Sequence, residues 1–383
     1  MKLARVANFV LLLPLSLSLY AAAQDSTTHH VAARIPVTSG SQELSAERPF
    51  VPPVETAKPS TGTPGNTWTL LANIPGAVIH DISFSSATTG YAAAEGGQVW
   101  KTTNGGKNWT EVLNAGFPYY FYGVNAVTAK DIVVSGFYDS STFYGLIRWS
   151  HDGGKTWGND VVVTNTGWSQ RVRFQKKKNG LILDLINGAT NTSQYTSNGG
   201  ATAGDWTSVV DDPSGAWFGL QFSFLKNLHA RASGIDFCTS MNGGAKWSCG
   251  PSVDSVFDGE TFFLNEKLGW VAAGEISPNV EGWVHVTTDG GKTWSGRTLD
   301  SPWPIRQLLF LNAKTGWAAG GNIYTGVGGI YFSADGGNTW SLDVSTGSEM
   351  DACDSKPTKP GFQVWCAGYD SSFNGHIYTT HVN

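Results

Sequence analysis

The sequence predicts an all-β chain: a seven-bladed β-propeller of four-stranded antiparallel blades, closed by the N-terminal strand completing the C-terminal blade. Three observations carry this. A short phrase ending in tryptophan recurs six times, its closing residues Trp109, Trp157, Trp206, Trp247, Trp294 and Trp340 standing 48, 49, 41, 47 and 46 residues apart. A second signal, a Phe followed by Gly-aromatic-Ala-Ala, precedes several copies: Phe84 with Gly90-Tyr91-Ala92-Ala93, and Phe310 with Gly316-Trp317-Ala318-Ala319. The two ends of the chain hold complementary pieces of one further unit. A period of 40–50 residues made of short strands describes propeller blades.

Each phrase reads as a hairpin corner. In Ser150-His151-Asp152-Gly153-Gly154-Lys155-Thr156-Trp157 the acid can bond backbone N–H groups of its own turn. The Gly-Gly pair tolerates positive φ, and the tryptophan opens the next strand as an apolar peg between units. Strands flank the corner, as Gln98 to Lys101 and Trp109 to Val112 do around Asn104. The six corner residues are Asn104, Asp152, Asn198, Asn242, Asp289 and Asp335, three of them Asn. The corners are therefore architecture, with neither catalytic nor metal-binding duty, because one carboxylate per loop is a weak cation site.

Six corners make seven blades. Beyond Trp340, Met350 to Cys353, Phe362 to Gly368 and His376 to His381 supply three strands and lack a fourth. Asn66 to Leu71 is a fourth strand with nothing before it, and Trp68 stands 41 residues ahead of Trp109, within the period. Pairing the two ends closes the ring and protects strand edges.

Residues 1–23 have the pattern of a secretory signal, with Lys2 and Arg5, an apolar run from Phe9 to Leu19 and the Ala21-Ala22-Ala23 exit. That run is short for a membrane span. Residues 24–65, rich in Ser, Thr, Pro and Ala, read as a disordered leader, and residues 66–383 as the propeller. An exported monomer with no membrane insertion is expected. Its four cysteines allow three pairings, of which local pairing, Cys238–Cys249 and Cys353–Cys366, suits neighbouring strands. A net charge of −5, with Lys176 to Lys178 as the only basic run, argues against a nucleic-acid partner. No cofactor or metal is implied. Asn108 and Asn191 open N-glycosylation sequons.

Function is expected opposite the corners, at the channel mouth. Aligning the inner strands on the Phe positions places Asp81, Gly123, Arg171, Gln221, Glu260, Gln307 and Asp351 in one ring, with His80, Tyr122, Gln170 and Arg306 beside it. Tyr120, Trp168, Trp217 and Trp303 fall where one blade passes to the next, and Tyr138, Tyr324 and Tyr369 in loops between second and third strands. The candidate ligand set is Tyr120, Tyr122, Arg171, Gln221, Trp217, Trp303, Arg306 and Gln307. Aromatic faces beside polar groups suit sugar rings. Asp81, Glu260 and Asp351, with His80, are the candidate catalytic groups, and Asp139, Glu275 and Asp370 are further carboxylates able to form a pair.

The phrase resembles the Asp-box, or bacterial neuraminidase repeat, found in sialidases, other glycosidases and receptors. Its combination with the Phe and Gly-aromatic-Ala-Ala signals resembles the photosystem II assembly-factor family of seven-bladed propellers across Asn66–Asn383. That resemblance implies a non-enzymatic protein that binds a partner, although the family's arginine-rich surface has no counterpart here. The sialidase motif Arg34-Ile35-Pro36 lies in the leader, before the first expected strand. Two readings follow: an exported binding or scaffold module for a protein or glycan, or a glycan-active hydrolase or lyase using channel-mouth carboxylates.

Overall fold

A computed structural model describes residues 68–383, apart from 141–142, 166, 176, 187–191, 211–220, 235, 251–252, 255–257, 276–280, 323–324 and 326. The expected signal, leader, Trp217, Tyr324 and Asn191 lie outside the described residues.

Seven antiparallel sheets form the ring. Blade 1 comprises Ile79–Phe84, Gly90–Ala94, Gln98–Thr102 and Thr110–Asn114. Blade 2 comprises Tyr119–Ala126, Ile132–Tyr138, Tyr144–Ser150 and Val161–Thr164. Blade 3 comprises Gly167–Gln175, Asn179–Ile186, Thr192–Thr196 and Thr207–Val210. Blade 4 has the short strands Ser223–Phe224, Ala230–Ser233, Phe237–Ser240 and Trp247–Cys249. Blade 5 has Asp258–Phe263, Gly269–Glu275 and Glu281–Thr287, and blade 6 has Ile305–Phe310, Gly316–Asn322, Val327–Ser333 and Ser341–Thr346. Blade 7 joins Glu349–Pro357, Phe362–Tyr369 and Gly375–Val382 to the N-terminal strand Thr69–Ile74, which pairs with the last of them. The expected closure is present.

The fourth position of blade 5 is irregular. Ser295 and Thr298 donate backbone N–H groups to Val286 and Val284, each at 2.8 Å, and Ser301 exchanges two bonds with Gly282. The blade is thus completed without a regular fourth strand.

The coupled Phe and Gly signals have a steric cause. Phe84, Phe263 and Phe310 lie across from Gly90, Gly269 and Gly316 in the sheet. A Cβ on these glycines would come within 2.5, 2.5 and 2.2 Å of the facing ring. The freed rings stack on the preceding blade. Phe84 lies 3.7 Å from Trp365 and Phe310 lies 3.5 Å from Trp270, both nearly coplanar.

The same second-strand aromatics clamp the corners of the following blade. Trp365 Nε1 donates to Gly105 O at 2.9 Å, Tyr91 Oη to Gly153 O at 3.0 Å and Trp270 Nε1 to Gly336 O at 2.8 Å. Within a corner, Asp152 Oδ1 accepts from Ser150 Oγ and from the N–H groups of Lys155 and Thr156, all at 2.9 Å. Thr156 Oγ1 donates to its other oxygen at 2.7 Å. These hydrogen bonds hold the Asp152 carboxyl far below the usual range. Asp289 and Asp335 repeat the pattern, while Asn104 and Asn242 keep a backbone contact and the bond from the preceding hydroxyl, Thr102 or Ser240. Asn108 is exposed on its corner.

Both disulfides have the expected local pairing, Cys238–Cys249 and Cys353–Cys366. Each joins residues directly opposite on neighbouring strands. No described helix is long and apolar enough to cross a membrane.

Candidate functional site

The inner strands carry the site, and β-bulges aim it. Register shifts bracket His80 in blade 1, Tyr122 in blade 2, Gln170 and Arg171 in blade 3, Arg306 in blade 6 and Asp351 in blade 7. An extra residue at each shift bends the strand and re-aims side chains. Counting along blade 7 is corrected by one. Ala352 pairs with Ala367 as Asp81 pairs with Ala93, so Asp351 holds the place of His80 and Arg306, not that of Asp81.

These groups bond to one another across the ring. Arg171 Nη1 donates to Gln307 Oε1 at 2.8 Å, linking blades 3 and 6, while Nη2 donates to His80 O at 3.3 Å and to Asp351 O. The Gln221 amide makes two 3.2 Å bonds with the Leu308 backbone, Nε2 donating to its carbonyl and Oε1 accepting from its N–H. Gln307 Nε2 donates to the same carbonyl at 2.9 Å. All three side chains are buried.

His80 lies between two carboxylates, Asp351 Oδ2 at 3.0 Å and Glu95 Oε1 at 3.1 Å. With an acceptor on each ring nitrogen, it is held as the imidazolium. Burial alone would lower its pKa. The hydrogen bonds and charges of Asp351 and Glu95 outweigh burial and raise it to about 9. The ring stacks on Tyr122 at 4.1 Å and meets Tyr369 edge-on. Burial, then the nearby Glu95, pushes the Tyr122 phenol well up.

Asp81 is a strut. Its Oδ2 accepts from Val124 N at 2.9 Å and from Arg173 Nη1 at 2.8 Å, and its Oδ1 accepts from Arg173 Nη2 at 3.2 Å. It therefore ties blades 1, 2 and 3 together. Arg306 pairs with Glu349 at 2.9 Å. Burial pushes the Glu349 carboxyl up, with nearby Asp351 adding to the rise and Arg306 opposing it. Glu260 is 2% exposed, and its Oε2 has no hydrogen-bond partner. Burial lifts its carboxyl far above the ordinary range against the pull of Arg171 and Arg306. Among the described residues no cluster of three metal-ligating side chains occurs.

The remaining candidates are placed elsewhere. Trp303 is 5% exposed and packs against Tyr331, inside the blade 5 and 6 core. Tyr120 is buried in a cluster with Tyr122 and Phe137 at the mouth end of blade 2. Asp370 caps its own turn by accepting from Ser372 N and Asn374 N. Counting from the Phe positions missed Glu95, Glu349 and Arg173. Glu95 directly follows the Gly90–Ala94 strand, and this adjacency was the available signal.

No protein-family model and no curated protein matches this sequence. Solved structures do resemble it. YCF48 from Cyanidioschyzon merolae superposes with a TM-score of 0.59 at 19% identity, covering 82% of this chain and 98% of that one. YCF48 bound to D1 peptide gives 0.58 at 17%, covering 83% and 95%. The GH74 xyloglucanase from Xanthomonas campestris gives 0.55 at 13%, covering 81% of this chain and 54% of that one. At these identities the likeness is one of fold. It joins a protein with a peptide-bound structure and a glycoside hydrolase to the same seven-bladed frame.

Proposed function

We propose that this chain is an exported binding or scaffold module that recognises a protein or glycan on the mouth face, opposite the tryptophan corners. One observation carries the reading: Arg171, Gln221 and Asp81 spend their polar groups on bonds between blades, and Gln307 spends its amide on Arg171 and on the Leu308 carbonyl of its own strand. Groups so engaged brace the ring. Ligand recognition then falls to the connections and strand ends around the channel. The peptide-bound YCF48 neighbour supports this use of the frame, and the N-terminal pattern together with two disulfides supports export.

A second reading, a glycan-active hydrolase, rests on Glu260. A buried carboxyl whose burial favours the protonated form has the property required of a general acid. The deciding experiment presents the full chain to a glycan array and analyses bound glycans for cleavage. Binding without turnover is expected. Turnover abolished by Glu260→Gln overturns the module reading in favour of the enzyme.

A further inference from the structure

The mouth end of blade 2 is built almost wholly of aromatic rings. Phe117, in the connection from blade 1, is 59% exposed. It meets Tyr120 edge-on at 6.1 Å, and Tyr120 stacks on Phe137 at 4.8 Å. Phe137 in turn contacts Phe143 and Trp168, both half-buried. Half-buried Tyr138 lies 4.8 Å from Tyr119 at the same strand ends, on the sheet face opposite Phe137, so the crown presents rings from both faces. The other exposed large apolar side chains among the described residues, Leu70, Met241 and Leu342, stand in blades 7, 4 and 6, outside this cluster.

Polar chemistry at this crown narrows the occupant. Asp139 N donates to Pro118 O at 2.9 Å, placing an acidic residue one step beyond Tyr138 and beside Phe117. Phe117 to Asn125 and Val133 to Tyr144 contain no lysine or arginine. The one cation at the crown's edge among the described residues, Arg148, lies 4.5 Å over the Tyr119 ring and is paired with Asp160. An anionic polymer therefore finds the local charge already neutralised and meets a further carboxylate. A proline-rich peptide suits aromatic grooves but offers mainly carbonyl acceptors, which a carboxylate cannot bond. Sugar hydroxyls donate, and the C–H faces of a pyranose stack on rings.

We infer that the blade 2 crown, centred on Phe117 and Tyr138 beside Asp139, is a subsite for a neutral pyranose chain. This rests on the mouth-face reading above and deepens it. The test titrates the full chain by calorimetry with cellohexaose, laminarihexaose and mannohexaose as neutral probes. Hexagalacturonate and a proline-rich decapeptide are the alternatives. At least one neutral hexaose is expected to bind, and Phe117→Ala, at an exposed position, to weaken it about tenfold. Tyr138→Ala is expected to weaken it likewise, while Met241→Ala in blade 4 leaves it unchanged. Failure of all three neutral probes, or binding untouched by both crown substitutions, overturns the inference. If the peptide or hexagalacturonate binds more tightly and Phe117→Ala weakens that binding, the glycan assignment falls and the mouth-face module stands. If a bound probe is insensitive to the crown and protects only the corner face from hydrogen exchange, both fall.

Discussion

The Arg171 guanidinium of blade 3 donates to the Gln307 side chain of blade 6 at 2.8 Å, so one residue ties opposite sides of the ring together. Its second nitrogen serves the backbone carbonyls of His80 and Asp351, in blades 1 and 7. Arg171→Met would leave those acceptors buried and unpaired. Leaving a buried neutral acceptor unsatisfied costs about 1–3 kcal/mol, and a loss of at least that size is expected in the urea unfolding free energy. Arg171→Lys keeps the charge and loses the fork, so its loss should be smaller but clear. Wild-type stability in Arg171→Met would show that the guanidinium is not a brace.

His80 makes stability depend on pH. Its folded value of about 9 exceeds its ordinary 6.5. The favourable contribution is therefore complete below pH 6.5 and is lost as pH rises through about 9. The loss is on the order of 3 kcal/mol. The groups facing it are Glu95, Asp351, Tyr122 and Tyr369. Urea midpoints measured from pH 6 to 10 should fall for the wild type, and the fall should be much shallower in His80→Gln. Parallel curves for the two proteins would remove His80 from the account.

The frame was legible because its rules are local. Phe84 demands a glycine across the sheet, and Asp152 bonds its own turn, so both signals recur wherever the geometry recurs. The ring of polar residues was legible in blades 1, 3, 4, 5 and 6. There Asp81, Arg171, Gln221, Glu260 and Gln307 each stand three residues before a Phe. It was misjudged by one in blade 7, which has no such Phe to count from. Glu95 and Glu349 escaped because they lie at strand boundaries, and pairing within blade 1 brings Glu95 to His80 while packing of blade 7 on blade 6 brings Glu349 to Arg306.

Closure hangs partly on Trp68. Its Nε1 donates to Asp343 Oδ2 of blade 6 at 2.8 Å, and its ring meets Trp317 edge-on at 6.2 Å. Trp68→Ala should cost about 1–3 kcal/mol, less than a fully buried tryptophan because the ring is half-exposed. A chain starting after Ile74 should do worse, because it leaves the Gly375–Val382 edge unpaired. Light scattering on heating would detect its association. A truncated chain that stays monomeric with an unchanged melting temperature would count against closure as a source of stability.

The two disulfides close short loops, with 11 and 13 residues separating their cysteines. Restricting the unfolded chain by loops of this size is worth about 2–3 kcal/mol each. Cys353→Ala/Cys366→Ala and Cys238→Ala/Cys249→Ala should each lower the melting temperature under non-reducing conditions. Added dithiothreitol should bring the wild type toward the doubly substituted chain. A wild-type melting curve that ignores reductant, with mass spectrometry confirming four free thiols, would show that the bridges add little.

Glu260 offers the sharpest test of what the channel is for. Its carboxyl is buried, one oxygen has no partner, and burial raises its folded value far above the ordinary 4.5. A carboxyl raised in this way favours the fold while protonated, and its contribution declines as pH rises from about 4.5. Gln has nearly the same shape and no charge to bury. Glu260→Gln should therefore match the wild type near pH 5 and equal or exceed it at pH 8, measured by urea unfolding at both values. Glu260→Ala should be destabilised at both, since it leaves a void beside Gln221. A Gln variant that is stable yet loses glycan turnover would assign the carboxyl to chemistry. A Gln variant less stable than the wild type at pH 8 would mean that ionised Glu260 stabilises the ring, through the Arg171 and Arg306 charges beside it.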